Sequence, residues 1–153
     1  MSSQKDIPPS TTCSVLIIGG GNAGFCAALA ASQSTTGVLL IDACPPSWAG
    51  GNTYFTAGAF RTAHAGLDDV LPIISNVDDE TAKLIDLAPY PEDEFLQDLE
   101  RVTRGQYDRP LGKELVNESG EVVKWLASQG LVFELSFNRQ VGFAVPLVLK
   151  NEF

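Results

Sequence analysis

Hydrophobic residues occur first as short solid runs and later as spaced stripes, and this change of rhythm divides the chain. Cys13 to Ile18 (CSVLII) and Val38 to Ile41 (VLLI) are apolar runs bounded by glycine, the pattern of strands buried on both faces. Between them, Asn22 to Ser32 is rich in alanine around Leu29, a good helix with small residues for close packing. Thr35, Thr36 and Gly37 break it. Strand, helix and strand within roughly thirty residues predict a βαβ unit with parallel strands.

From Asp42 to Gly58 the sequence is irregular and rich in Pro and Gly, which reads as a long loop. A polar, weakly structured stretch then runs to Pro91. PEDEFLQDLERVT carries acids in its first turn, Arg101 in its last, and Phe95, Leu99 and Val102 on one face, which predicts an amphipathic helix. Gly112 to Gln129 repeats the pattern with Leu115, Val122, Trp125 and Leu126, and stops at Gly130. Leu131 to Leu135 reads as a strand.

Charge removes some function classes. The net charge is −9, and the ten Lys and Arg residues are scattered rather than clustered, which excludes a phosphate-tracking nucleic-acid surface. The acids concentrate between Asp78 and Glu100, as a solvated helix face would. No apolar run is long enough to span a membrane, and the opening MSSQKDIPPSTT lacks the character of a leader peptide. Residues 1–12 read as a disordered lead-in. Cys13, Cys26 and Cys44 form no CxxC pair and no metal-ligand spacing, so no metal is expected and a reducing, cytoplasmic setting is the default. Cys13 and Cys26 are expected inside elements, acting as small apolar residues.

The chemistry is concentrated in Gly19-Gly20-Gly21-Asn22-Ala23-Gly24, which satisfies G-x-G-x-x-G. Glycine is common, and the match gains weight from its place after a predicted strand, at the start of a predicted helix, with Asp42 ending the next strand. Gly19 permits the tight turn, Gly21 leaves room for a pyrophosphate against the backbone, and Gly24 lets the helix lie close to the sheet. The helix start, including Asn22 and Ala23, then offers unpaired N–H groups to a diphosphate. Asp42, followed by Ala43, would accept hydrogen bonds from the adenosine ribose and repel a 2′-phosphate. No Lys-Ser or Lys-Thr follows the glycines, which excludes a P-loop. The bland alternative is a glycine-rich turn with an incidental surface Asp.

These residues resemble the FAD-dependent oxidoreductases of the fumarate reductase and succinate dehydrogenase flavoprotein type, including flavocytochrome c and tricarballylate dehydrogenase. VLIIGGGNAGFCAALAA followed by LLIDA is similar to that family's first FAD motif, and GGNTYFTAGAF to the next, which runs under the flavin. YPEDEFLQDLERVTRGQYD and the Trp125 segment ending in SQGLVFE resemble the tricarballylate dehydrogenase branch. The likeness runs from Val15 to Gln140.

The resemblance implies an incomplete Rossmann-like α/β FAD-binding domain followed by helices, with the N-terminal part of that domain at 13–140. It implies FAD contacts at Ala23 (pyrophosphate), Asp42 (ribose), and Asn52, Thr53, Ala57 and Gly58 (near the flavin), with Gly51 opening that loop. Members with covalent flavin carry His at the position of Asn52, so FAD is expected to be non-covalent. The implied chemistry is hydride transfer between flavin and a small carboxylic or keto substrate. The groups that perform it in the family lie in later segments, so the catalytic residues are unknown and this chain is expected to lack them.

His64 is expected to be exposed, and Arg61, Arg104, Arg109 and Arg139 to be surface arginines. Two parallel strands leave open edges, which predicts a marginal fold with weak or no FAD binding. Val141 to Phe153 (VGFAVPLVLKNEF) departs from the family and reads as a hydrophobic tail, for which translation of a retained intron is one expectation. A transcript joining Gln140 directly to family-like sequence would bear that out. A competing function class is a non-catalytic dinucleotide-binding or interaction module, and another retains the enzyme but takes NAD.

Overall fold

A computed structural model describes residues 12–56 and 58–136, with the backbone of 147–149. Residues 1–11 of the expected lead-in, Ala57, Arg139 and most of the expected tail lie outside the described residues. The chain forms two compact units that divide after Thr56.

In the first unit, strand β1 (Val15–Ile18) pairs in parallel with β2 (Val38–Ile41), in a register that sets Val15 beside Val38 and Ile18 beside Ile41. Helix α1 (Asn22–Ser32) connects them, as the solid runs and the alanine-rich segment predict. Gly37 ends the crossover: its carbonyl accepts from Ser14 N–H at 2.8 Å and from Val15 N–H at 3.1 Å. Gly19 N–H donates to the Ile41 carbonyl at 2.8 Å, which extends the pairing to the motif itself. Two 3₁₀ turns, Pro46–Trp48 and Gly51–Phe55, order the loop that reads as irregular.

The expectation of strands buried on both faces is corrected. Ile17 faces α1, within van der Waals reach of the Cβ position of Gly24, whereas Leu16 is exposed and Ile18 is 79% exposed. Side chains alternate across a strand, and a single helix covers a single face. Phe25 and Ile41 are exposed too, and no residue of α1 is buried. Cys13 is exposed and precedes β1 rather than lying within it.

The second unit carries the hydrophobic core. It opens with β3 (Ala59–Phe60), α2 (Leu67–Val70), a 3₁₀ turn at Leu71–Ile73 and α3 (Asp79–Ala82). There follow α4 (Glu92–Thr103), α5 (Arg109–Ser128), β4 (Phe133–Leu135) and β5 (Leu147–Leu149). β5 is central in an antiparallel sheet of order β3-β5-β4.

The stretch before Pro91 is not weakly structured. It supplies buried Val70, Ile74 and Tyr90, and His64 and Tyr90 exchange backbone hydrogen bonds at 3.0 and 2.9 Å. Asn76 behaves as a strand residue by proxy: its amide accepts from Leu135 N–H at 2.8 Å and donates to the Leu135 carbonyl at 3.0 Å. Polar spacing conceals these contacts because each partner is distant in sequence, the Asn76 pair spanning 59 residues to β4.

Helix α5 starts before its predicted bound. Asp108 accepts from Leu111 N–H at 2.9 Å as its N-cap, and Pro110 sits in the first turn, where a missing N–H costs nothing. Its buried stripe is Gly112, Val116, Val123 and Leu126, while Leu115 and Val122 are exposed, so the helix is rotated from the predicted face. On α4, Phe95 is buried as expected, but Val102 is exposed. A Cβ on Gly112 would come within 3.0 Å of Leu99 Cδ2 and closer still to the Tyr107 ring, so glycine sets how closely α4 meets α5.

Phe133 and Val116 are fully buried, and the Phe133 ring meets Phe60 edge-on at 5.5 Å. Phe133→Ala should destabilise the second unit by about 3–5 kcal/mol, seen as a lower urea midpoint. By contrast, Ile18→Lys should alter stability by less than ~0.5 kcal/mol while reducing self-association in sedimentation, because it removes apolar surface that nothing covers.

Candidate functional site

The glycines of the motif are required for different reasons. Gly19 has φ +106°, in the left-handed region that disfavours side chains. At Gly24 a Cβ would lie 1.8 Å from the Gly19 carbonyl oxygen, so the first turn of α1 rests backbone against backbone on the end of β1. Gly21 is another matter. Its φ is −83°, and the nearest atoms to an added Cβ are Gly50 O at 3.8 Å and Gly51 Cα at 3.9 Å, which is ordinary contact. Neither strain nor the chain's own packing requires glycine there.

Gly21 is also the N-cap of α1. No side chain caps this end, and no acid lies in the first turn. Phe25 N–H returns to the Gly21 carbonyl at 3.0 Å, and the amides of Asn22, Ala23 and Gly24 form the helix's positive end.

Asp42 comes to this end directly after β2. Its Oδ2 accepts from Gly20 N–H and its Oδ1 from Cys44 N–H at 2.8 Å. Hydrogen bonds from Cys44, then from the Gly20 amide, hold the carboxyl down at about 2, well below its usual 3.8. The same proximity pushes the Cys44 thiol up, and that thiol donates to the Trp48 carbonyl at 3.4 Å. Ala43 is exposed beside Asp42.

The following loop reaches the same place. Gly50 and Gly51 have φ of +114° and +58°, and a Cβ on Gly51 would stand 3.2 Å from Gly21 Cα. Thus Gly19, Gly21, Asp42 and Gly51 gather around one turn, with Asn52 and Thr53 in the 3₁₀ turn that Gly51 opens. Gly58 lies in the second unit with φ +68°.

Sequence reasoning missed three contributors. Gly20, itself buried, donates to Asp42, and Gly50 makes the sharp entry to the loop. The third is an exposed aromatic group: Phe55 lies 5.9 Å from Trp48 and 5.2 Å from Tyr54, centroid to centroid. The doublet Gly50-Gly51 was a visible signal for the second. Three aromatics within one polar loop were the signal for the third.

Two expectations about side chains are corrected. His64 is not exposed: it is buried in the second unit, with Nδ1 accepting from Gly66 N–H at 3.2 Å, and burial holds its basicity below the usual histidine value. Arg61 is not a free surface arginine. It bonds Asp98 at 2.8 Å and the Tyr90 hydroxyl at 3.1 Å, with its guanidinium over the Tyr90 ring. Arg104 is exposed, and Arg109 pairs with Glu100 at 3.0 Å on the surface. Among the described residues no cluster of His, Cys, Asp and Glu could hold a metal ion, and no helix is long and apolar enough to cross a membrane.

The chain is similar to known proteins. Residues 14–124 match the family described as FAD dependent oxidoreductase. The chain is similar to the "Probable fumarate reductase Ifc3" of Shewanella frigidimarina (strain NCIMB 400), 32% identical over 129 residues, which covers 80% of this chain and 18% of that protein. It is also similar to a solved structure, the open conformation of a flavocytochrome c3 fumarate reductase. There the TM-score is 0.64 at 29% identity, covering 95% of this chain and 22% of that one. The chain therefore spans about a fifth of the length of these proteins. With a parallel βαβ turn whose glycines, uncapped helix end and carboxylate converge, and a family match through both units, this chain belongs to the FAD dependent oxidoreductase family.

Proposed function

We propose that this chain carries the FAD-binding turn of the family and holds FAD non-covalently and weakly, as two strands with open edges imply, with the diphosphate at the start of α1 and the adenosine ribose on Asp42. Ala23 and its neighbours Asn22 and Gly24 supply amides to the diphosphate. Gly51, Asn52 and Thr53 would contact the flavin side of the cofactor, and the family resemblance assigns Ala57 and Gly58 to the same role. The observation that carries this reading is Gly21, a glycine with room for a side chain and no strained backbone, at a helix end without a cap. A diphosphate explains all three features. Asn52, an amide, offers no nucleophile for a flavin linkage.

Bound FAD would supply the hydride acceptor or donor for a carbon beside a carboxylate or carbonyl. The chain's own residues bind and orient it. Asp42, fixed by two amides, retains acceptor capacity for the ribose hydroxyls, since a carboxylate has about four lone-pair sites. The substrate on this reading is a small carboxylic or keto compound, and the fumarate reductase names of the relatives support the carboxylic one. No described side chain is assigned to proton transfer. A purified chain that reduces no acceptor with dicarboxylates yet binds FAD would fit a binding portion rather than a complete catalyst.

Two substitutions separate fold from binding. Gly21→Ala should cost less than ~1 kcal/mol of stability but weaken FAD by roughly tenfold or more, because its methyl occupies the diphosphate's place. Gly24→Ala should instead melt the βαβ unit. Amide shifts during FAD titration of the full chain are the readout, and they should cluster at Gly19 to Gly24 and Cys44. Undiminished FAD binding by Gly21→Ala would sink the proposal.

The Asp42 carboxyl gives a pH test. Its folded value, about 2, lies below the ordinary 3.8, so its contribution is complete above 3.8 and is lost as pH falls through 2. The Gly20 and Cys44 amide shifts should therefore hold steady from pH 7 to 4 and titrate only near 2. A midpoint near 3.8 would show that the two amides do not grip the carboxylate.

A further inference from the structure

Helix α5 carries a second apolar stripe that its own unit leaves uncovered. Leu111, Leu115 and Val122 are 67%, 54% and 46% exposed, and Trp125 at the end of the row is half-buried. At about 100° per residue, the four lie within roughly 80° of helix surface. The stripe runs beside the face that Val116, Val123 and Leu126 bury.

Single apolar residues on a surface need no explanation, but these keep a rhythm. The steps from Leu111 through Leu115, Glu118 and Val122 to Trp125 run four, three, four, three. That is the spacing of a heptad seam, whose a and d positions face another helix. Leu115 and Val122 occupy a, and Leu111, Glu118 and Trp125 occupy d. The seam extends over about four turns, roughly 21 Å, the length over which a short amphipathic helix docks.

The charges decide what the seam accepts. Glu118 stands inside it, exposed, and Glu114 and Glu121 occupy position g on one flank. Lys124 reaches Glu121 at 3.3 Å, whereas neither Glu114 nor Glu118 has an ion pair among the described residues. Position e, on the other flank, holds Gly112, Ser119 and Leu126, which carry no charge. A second copy of this face is therefore a poor match. In a parallel pair each Glu118 meets its counterpart and the acids at g find no cation at e; in an antiparallel pair g faces g, and the acids repel. The same acids, in a chain of net charge −9, turn away an anionic lipid surface.

We infer that this face of α5 docks a cationic amphipathic helix of another protein. The partner's apolar stripe lies on Leu111, Leu115 and Val122, and a lysine or arginine stands against Glu118. A carboxylate enclosed between two helices without a cation is strongly destabilising, so this one acid selects the partner's charge as well as its register. Further cations on the partner's flank face Glu114.

The probe is a synthetic peptide of three heptads, with leucine at a and d except for one central lysine, and lysine at e and g. Repulsion among its lysines keeps it from pairing with itself. A control peptide has glutamate in place of every lysine. Trp125 reports from the seam, and Trp48→Phe, in the first unit, removes the other indole. With the full chain at physiological salt, the lysine peptide should gain helicity and shift the Trp125 emission to saturation. The glutamate peptide should bind at least roughly tenfold more weakly.

Two variants separate docking from charge adhesion. Leu115→Ser with Val122→Ser changes positions that are already exposed, so the thermal melt should hold while the lysine peptide weakens by roughly tenfold. Glu118→Gln should narrow the gap between the two peptides by about fivefold. Absence of saturable binding, equal affinity for the two peptides, or undiminished affinity in the folded serine variant would overturn the inference.

Discussion

The first unit depends on the absence of one carbon atom. At Gly24 the helix backbone stands so close to the Gly19 carbonyl that a methyl group would overlap it. This contact fixes where α1 begins relative to β1, and hence where its free amides gather. It also fixes Gly20, whose N–H then meets Asp42 at the end of the neighbouring strand. The parallel register of β1 and β2 decides that the carboxylate arrives there at all, since Ile18 stands beside Ile41. A register slip of one residue would send Asp42 to the other face.

The two units are stabilised differently. Every buried hydrophobic side chain among the described residues, from Val70 to Leu135, belongs to the second. The first is held by strand pairing, helix hydrogen bonds and close glycine contacts, with only one strand face covered. The apolar runs that identified β1 and β2 were therefore read correctly as strands and incorrectly as buried. Their composition suits a sheet covered on both sides, and here Leu16 and Ile18 meet no cover.

What was legible in the sequence was local. The βαβ unit, the motif and the two long amphipathic helices each declare themselves within about thirty residues or fewer, through a run, a period or a glycine spacing. The misses are non-local. His64 reads as a polar loop residue because its partner strand segment at Tyr90 is distant in sequence, and Arg61 reads as surface because Asp98 lies 37 residues away. The face of α5 was misjudged because Leu115 and Val122 follow a helical period as well as Val116 and Val123 do. Only the neighbours decide between two such stripes: Ser119, on the chosen face, receives the Ala63 amide at 3.0 Å.

Asp42 shows why a carboxylate at a strand end suits a ribose better than its mere charge suggests. It is exposed, so Coulomb attraction to a distant partner would be screened by water and salt. Two backbone amides already hold it in one orientation, so little side-chain freedom remains to be lost when hydroxyls arrive. Those amides consume one acceptor site on each oxygen and leave the others aimed outward. A lysine or an amide at position 42 could match neither feature: the first cannot accept hydrogen bonds, and the second has one oxygen where two are in use. On the proposed reading, the geometry that fixes the carboxylate is the same geometry that frees the helix amides, and both trace back to the closeness of Gly19 and Gly24.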